Sequence, residues 1–367
     1  MRLAYLLDWK FGPESGVGKK IVDQIANWNR FGIEVTLFIS CPAEHADAWA
    51  RLPFRVRTHT YTHYISRLNA RNLSLQNIVD EKNEVIYTRF GILSPFTIRR
   101  MKKIPTILEL NTKGLLEYKR RSLFLYLYAV VTSKIILNNS IAICAITPEV
   151  ANEAERIAGN ELNYEVFPNS IDLNRFRNVL PPKNRRPKLV FVGSPGLVWH
   201  GMDRLSELAR KLSEYDFYVI GPNEGLNRPS NMEFVGEIFD DELNEFLEGM
   251  DIAISSLALD RNMMSEGSPI KTRLYLALGL PVVIGYTDTG LGKGSDYIFK
   301  ISPDEWPIAD ERINELRDFV SKNKGRRVPR QEIFSIDSQV VEKKRVDFII
   351  KTSHQKVTPL QRLMGPN

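Results

Sequence analysis

The stretch Ser265-Glu266-Gly267-Ser268-Pro269-Ile270-Lys271 holds the densest set of residues able to do chemistry. Glu266 can accept hydrogen bonds from hydroxyl groups. Ser268 suits a helix N-cap and Pro269 a first helical position. The unpaired N–H groups of the helix that follows would then face an anion. Lys271, one turn in, adds positive charge, and Arg273 or Arg261 could add more. A carboxylate beside an anion-binding helix end fits a sugar joined to a diphosphate. A capped core helix explains Pro269, Gly279 and the leucines equally well. Two other loops are phosphate candidates. Ser194 to Gly201 follows an apolar run and includes His200, a possible donor, although an ordinary surface-loop histidine reads as well. Gly16-Val17-Gly18 sits between a first apolar run and a helical pattern, where a plain tight turn is the alternative. Its spacing is not that of a Walker loop, because Lys20 stands where Ser or Thr is needed.

Other chemistries have no motif here. The sequence contains no H-E-x-x-H, C-x-x-C, G-x-S-x-G or D-x-D. Its five histidines are scattered at 45, 59, 63, 200 and 354, which disfavours a histidine metal site. Its two cysteines, Cys41 and Cys144, lie in apolar runs and read as buried thiols of a reducing compartment.

The elements that must position these residues alternate between strand and helix. LAYLLD, a glycine-bearing loop, a helical pattern over 19–32 and the β-branched run IEVTLFIS make a strand–loop–helix–strand unit. EVIYTRF, TILELNT and IAICAIT continue the series. The proline-rich, basic segment 176–187 predicts a linker. A second series follows it: KLVFVGS, a helix over 201–213, DFYVIGP, NMEFVGE, a helix over 240–249, DIAISSL, a helix over 270–278 and PVVIGY. The expected organisation is an α/β chain with an N-terminal Rossmann-like domain over 1–175, a linker over 176–187 and a C-terminal Rossmann-like domain over 188–334. A C-terminal helix at 335–350, within a segment 335–367, is expected to cross back to the first domain. A chain of 367 residues has room for two such cores.

The net charge of +6 is uneven: residues 1–180 carry 24 basic and 17 acidic side chains, residues 181–367 carry 26 and 27. The basic half should face something anionic, unless the charges are ordinary solvated surface. Arg99, Arg100, Lys102, Lys103, Lys113, Lys119, Arg120 and Arg121 precede the run SLFLYLY, a pattern that fits an anionic membrane face. A buried helix with a solvated basic flank is the competing reading. No basic–aromatic platform or reading helix suggests nucleic acid. The first residues lack a signal-peptide pattern, and the run 123–131 is too short to span a bilayer. The expectation is a cytoplasmic protein, peripheral on the inner membrane face.

With these residues in view, the chain resembles retaining glycosyltransferases of family 4, which have the GT-B fold of two Rossmann-like doubly wound domains facing a central cleft. The likeness runs in order through the Gly16/Gly18 loop, VIYTRF at 85–90, PTILELNT at 105–112, AITPEV at 145–150 and Val166-Phe167-Pro168-Asn169-Ser170-Ile171-Asp172. It continues through FVGS, WHG-x-D-x-L, NMEFVGE and MDIAISSL to SPIKTRLYLALGLPVV. The resemblance implies transfer of a sugar from a nucleoside diphosphate to an acceptor hydroxyl, with no metal or other cofactor. The donor would be UDP- or GDP-linked, and the acceptor a glycan or lipid-linked molecule of surface polysaccharide or glycolipid assembly. Glu266 would hold the donor sugar, with His200 and Lys271 beside the diphosphate as the other catalytic candidates. Gly16, Gly18, Ser194, Gly236, Glu237, Gly267, Ser268, Pro269 and Arg273 would line the donor, and Glu109 and Asn111 the acceptor side. Three positions depart from the family pattern. Leu274 replaces the second glutamate of E-x7-E, while Ser194 and His200 replace an arginine and a lysine. Those departures leave two alternatives: a non-catalytic GT-B binding or scaffold subunit, and a sugar-nucleotide epimerase using Glu109.

Overall fold

The structure is a computed structural model that describes residues 1–354 except 92, 94–96, 100–102, 116, 117, 120, 121, 178, 223–227 and 293. Arg100, Lys102, Arg120 and Arg121 of the basic run, and the tail from 355, lie outside the described residues.

The chain divides into two units: Met1–Phe167 with residues from Val341 on, and Pro168–Val340. The first boundary therefore precedes the expected linker. Segment 176–187 is instead held inside the second unit, where Asn184 Nδ2 donates to Gly249 O and to Asp251 Oδ2, both at 2.9 Å.

Among the described residues the first unit has seven strands: β1 (Arg2–Asp8), β2 (Glu34–Pro42), β3 (Val56–Tyr61), β4 (Val85–Arg89), β5 (Thr106–Leu110), β6 (Ala142–Ala145) and β7 (Tyr164–Val166). They form one sheet in the order β3-β2-β1-β4-β5-β6-β7, and every pairing is parallel. Helices cover a parallel sheet on both faces, so its strands read as continuous apolar runs; all five residues of β5 are buried. Tyr5, Trp28 and Tyr87 pack ring against ring in the core, at 4.8–5.8 Å between centroids. Val341, Val346, Phe348 and Ile349 of the helix Ser338–Ser353 join that same core. The winding direction changes between β1 and β4, the place where doubly wound sheets open to ligands.

The second unit holds β8 (Lys188–Val192), β9 (Asp216–Ile220), β10 (Met232–Gly236), β11 (Ile252–Ile254), β12 (Glu266–Gly267), β13 (Val282–Ile284), β14 (Thr287–Asp288) and β15 (Ile298–Lys300). Six of them form a parallel sheet ordered β10-β9-β8-β11-β13-β15; β12 and β14 pair separately. Here the reversal falls between β8 and β11. Gly193 and Gly221 meet back to back at the ends of β8 and β9. A Cβ on Gly221, at φ +94°, would stand 1.9 Å from Gly193 O, which leaves no room for another residue.

Candidate functional site

Of the sequence candidates in the second unit, Ser194, His200 and Lys271 lie at the carboxyl end of β8. The chain leaves that strand through Gly193 and an exposed Ser194, makes one 3₁₀ turn over Val198–His200, and enters the helix Met202–Lys211. Backbone bonds from Leu257 N to His200 O (3.1 Å) and from Ala258 N to Trp199 O (3.2 Å) pin the turn to the loop after β11. His200 is thereby only 6% exposed. Its ring stands edge-on to Phe191, 5.2 Å between centroids, and its Nδ1 has no hydrogen-bond partner. Burial first, then the neighbouring Lys271 charge, pushes its pKa down to about 3. At neutral pH His200 is an uncharged donor rather than a cation.

Lys271 faces the same strand end. Its Nζ donates to Val192 O at 3.1 Å and sits 4.0 Å from the Phe191 ring centroid. Burial holds its pKa well below the usual lysine range. An arriving diphosphate would favour the ammonium form by direct attraction.

Glu266 lies half-buried on β12, four residues ahead of the helix Ile270–Ala277 that carries Lys271. Its strand pairs with β14, Glu266 opposite Thr287 and Gly267 opposite Asp288. A Cβ on Gly267 would come 2.7 Å from Leu259 Cδ1 and 3.1 Å from Tyr286 Cδ2, so those side chains would have to shift to admit one. Leu274, the position that the expected resemblance set against a second glutamate, is half-buried on that helix.

Several expected roles change. Ser268 does not cap the helix: Pro269 occupies the N-cap, with no side-chain cap bond. Ser268 Oγ instead accepts from Asn169 N at 2.8 Å and from Arg273 Nη2. Arg273 is not a diphosphate ligand. It is fully buried, its Nη1 and Nη2 donate to Asp288 at 2.9 and 2.7 Å, and its Nε donates to Asn169 O. Through that network Asn169 holds the Ser268 turn. Arg261 is held by Asp203. Gly236 (φ +91°) has open space around its Cα, and Glu237 is exposed beside it.

In the first unit, the helix Gly16–Arg30 is capped by Ser15, whose Oγ accepts from Gly18 N at 3.2 Å. The Gly18 amide is therefore taken rather than offered to a phosphate. Gly18 is required for packing, since a Cβ would meet Gly12 O at 2.6 Å; Gly16 borders open space. Glu109 is 2% exposed, so it neither lines an acceptor surface nor serves as an epimerase base. Its Oε1 accepts from Lys20 Nζ at 2.8 Å and lies 3.4 Å from Arg345 Nη1; its Oε2 accepts from the Tyr5 hydroxyl at 3.3 Å. Burial alone would raise its pKa, but Lys20, Arg345 and Arg89 outweigh that and hold it down at about 2. Lys20 also donates to Asn111 Oδ1 at 3.0 Å. Arg345 pairs with Glu342, which accepts from Trp28 Nε1 at 2.8 Å. Lys20, Glu342 and Arg345 escaped the sequence reading. The only trace of them there is charge on otherwise apolar helix faces.

No family model matches the chain, and no curated protein matches it in sequence. Solved structures match it in shape. The lipopolysaccharide outer core galactosyltransferase WaaB, in its apo form, superposes with a TM-score of 0.68 at 12% identity, covering 96% of this chain and 99% of that one. A glycosyltransferase from Rickettsia africae gives 0.67 at 12%, over 96% and 99%. Anabaena HepE, solved with UDP and glucose, gives 0.60 at 14%, over 99% and 100%. The fold is thus the GT-B fold of glycosyltransferases. Among the described residues no cluster of acidic, histidine and cysteine side chains is arranged to hold a metal ion.

Proposed function

We propose that the chain is a retaining glycosyltransferase of the family 4 kind. It would move a sugar from a UDP- or GDP-linked donor to the hydroxyl of a glycan or lipid-linked acceptor in surface polysaccharide or glycolipid assembly. The observation that carries this reading is that His200 and Lys271 both pack against the Phe191 ring, at the strand end where the second sheet reverses. Neighbours of the same fold were solved with UDP and UDP-glucose, which supports a nucleotide-sugar donor.

In the proposed reaction the bond from the anomeric carbon to the diphosphate oxygen breaks, and the acceptor oxygen bonds to that carbon from the same face. The acceptor proton passes to the leaving diphosphate. The barrier is the charge growing on that leaving group. Lys271 supplies a cation that binding itself restores, His200 a neutral hydrogen bond, and Glu266 holds sugar hydroxyls. Burial around both nitrogens strengthens each interaction.

Membrane association is part of the proposal. On the helix Leu123–Asn139, Phe124 (87% exposed), Leu127 (54%), Val131 (61%) and Ile135 (38%) line successive turns of one outward face. Arg99, Lys103 and Lys119 are exposed nearby in sequence, whereas Lys113 is paired with Glu149. Among the described residues no helix is long and apolar enough to cross a membrane.

The deciding experiment is a thermal-shift panel of UDP- and GDP-sugars, with release of free nucleotide as the second readout. One donor should raise the melting temperature and be turned over. Glu266→Gln should still bind the nucleotide but lose about ten- to a hundredfold in turnover, as expected when hydrogen bonds to a charged group are lost. A donor bound without any turnover would favour the scaffold alternative, which Leu274 in place of a ribose carboxylate motivates.

A further inference from the structure

The first sheet has its own opening where the winding reverses. The ends of β1 and β4 border a cavity of about 200 Å³. Part of its wall is apolar, formed by Leu75 and Phe90 among others; the rest carries Asp8, Trp9, Arg71 and Arg89. The strand ends are fixed. Trp9 N donates to Ser40 O at 3.0 Å, Phe90 N to Glu109 O at 2.8 Å, and Thr88 Oγ1 to Leu6 O at 2.8 Å.

Arg89 is the anomaly. Its guanidinium lies 5.4 Å from the Trp9 ring centroid, and its Nη1 is buried with no hydrogen-bond partner. A shielded guanidinium N–H without an acceptor is uncommon and signals a missing partner. The nearby carboxylates are already engaged. Asp8 takes Arg67 Nε, 3.0 Å from each of its oxygens, and Arg71 Nε as well. Glu109 is closed off by Lys20, Arg345 and Tyr5. Arg71 and Arg89 put two positive charges on the cavity wall beside the Asp8 carboxylate, which Arg67 shares, and Arg89 is also within the field of the buried Glu109. Beside them, Phe90 and Trp9 offer flat apolar surface. Planar guanidinium groups match carboxylate and phosphate oxygens.

We propose that this cavity recognises an anionic sugar, with a carboxylate or phosphate received by Arg89 and the ring lying against the aromatic wall. If the glycosyltransferase reading holds, this anionic sugar is part of the acceptor. The anion site itself stands on Arg89.

Isothermal titration of the full chain tests it, with glucuronate and glucose 6-phosphate set against uncharged glucose, and inorganic phosphate as the free anion. At least one charged sugar should bind in the millimolar range or tighter, and better than both glucose and phosphate alone. Whether glucuronate or glucose 6-phosphate binds tells which anion is read. Arg89→Gln should weaken that binding by about tenfold or more, with Arg89→Lys in between. Binding of UDP or GDP should be unchanged in both variants. Equal affinity for glucose and the charged sugars, no binding of any of them at millimolar concentration, or an Arg89→Gln variant that binds like the parent would overturn the proposal. Loss of nucleotide binding in the parent with anion binding intact would instead refute the enzyme reading and leave this site standing.

Discussion

Acidification from pH 8 to pH 5 should destabilise the second unit in part through His200. His200 titrates near 6.5 when unfolded and at about 3 when folded. Between those values the unfolded chain binds the extra proton, so stability falls as pH drops below 6.5 and is untouched above about 7. At pH 5 the gap used is about 1.5 pH units, worth about 2 kcal/mol. For a unit of this size that is about 4–8 °C in melting temperature. Two buried features set the effect: the Phe191 and Gly193 walls that exclude water, and Lys271, whose charge opposes a second one. The assay is calorimetric unfolding of the parent and of His200→Asn across pH 5–8. The variant should melt lower at pH 8, having lost packing, yet show a pH slope shallower by the amount above. His59, also depressed by burial, titrates in both proteins and cancels in the difference. Glu109 stays ionised across the whole window. Equal slopes in parent and variant would refute the burial argument for His200.

Asp288→Asn should destabilise the second unit by about 3–5 kcal/mol, because it strands the fully buried Arg273 guanidinium; urea unfolding reads this directly. Glu109→Gln should cost the first unit a similar amount, about 3–5 kcal/mol, by leaving Lys20 and Arg345 facing each other without their shared carboxylate. Adding Lys20→Met to that variant should recover part of the loss, and a double-mutant cycle measures the coupling. Nucleotide binding should tighten as pH falls through the depressed Lys271 pKa, since the anion prefers the ammonium; Lys271→Met should abolish that slope in titration calorimetry.

The strand–helix alternation was legible because buried parallel strands are apolar throughout and the intervening helices end at glycine or a charged turn. KLVFVGS and PVVIGY contain β8 and β13, and the helix expected at 335–350 is found at Ser338–Ser353. The first helix starts at Gly16 rather than 19, because Ser15 caps it, a role the glycine pattern obscured. Site geometry was less legible. Ser268 has the type and position of an N-cap, yet a partner 99 residues away claims its hydroxyl. Arg273 has the type and place of a donor-lining cation and is instead locked to Asp288. Glu109 read as an open carboxylate because Lys20 and Arg345 lie 89 and 236 residues distant. Local pattern carries periodicity and caps; it carries no record of which buried charges neutralise one another.

The interleaving of the chain has a consequence for biogenesis. Trp28 emerges early from a ribosome, but its indole N–H meets its acceptor only when Glu342 arrives, 314 residues later. The unit made first is therefore finished last. Until the helix Ser338–Ser353 docks, Glu109 lacks the Arg345 guanidinium and the core lacks Val346 and Ile349. Nascent chains stopped before residue 338 should stay protease-sensitive around Trp28, while the region from Pro168 onward already resists digestion.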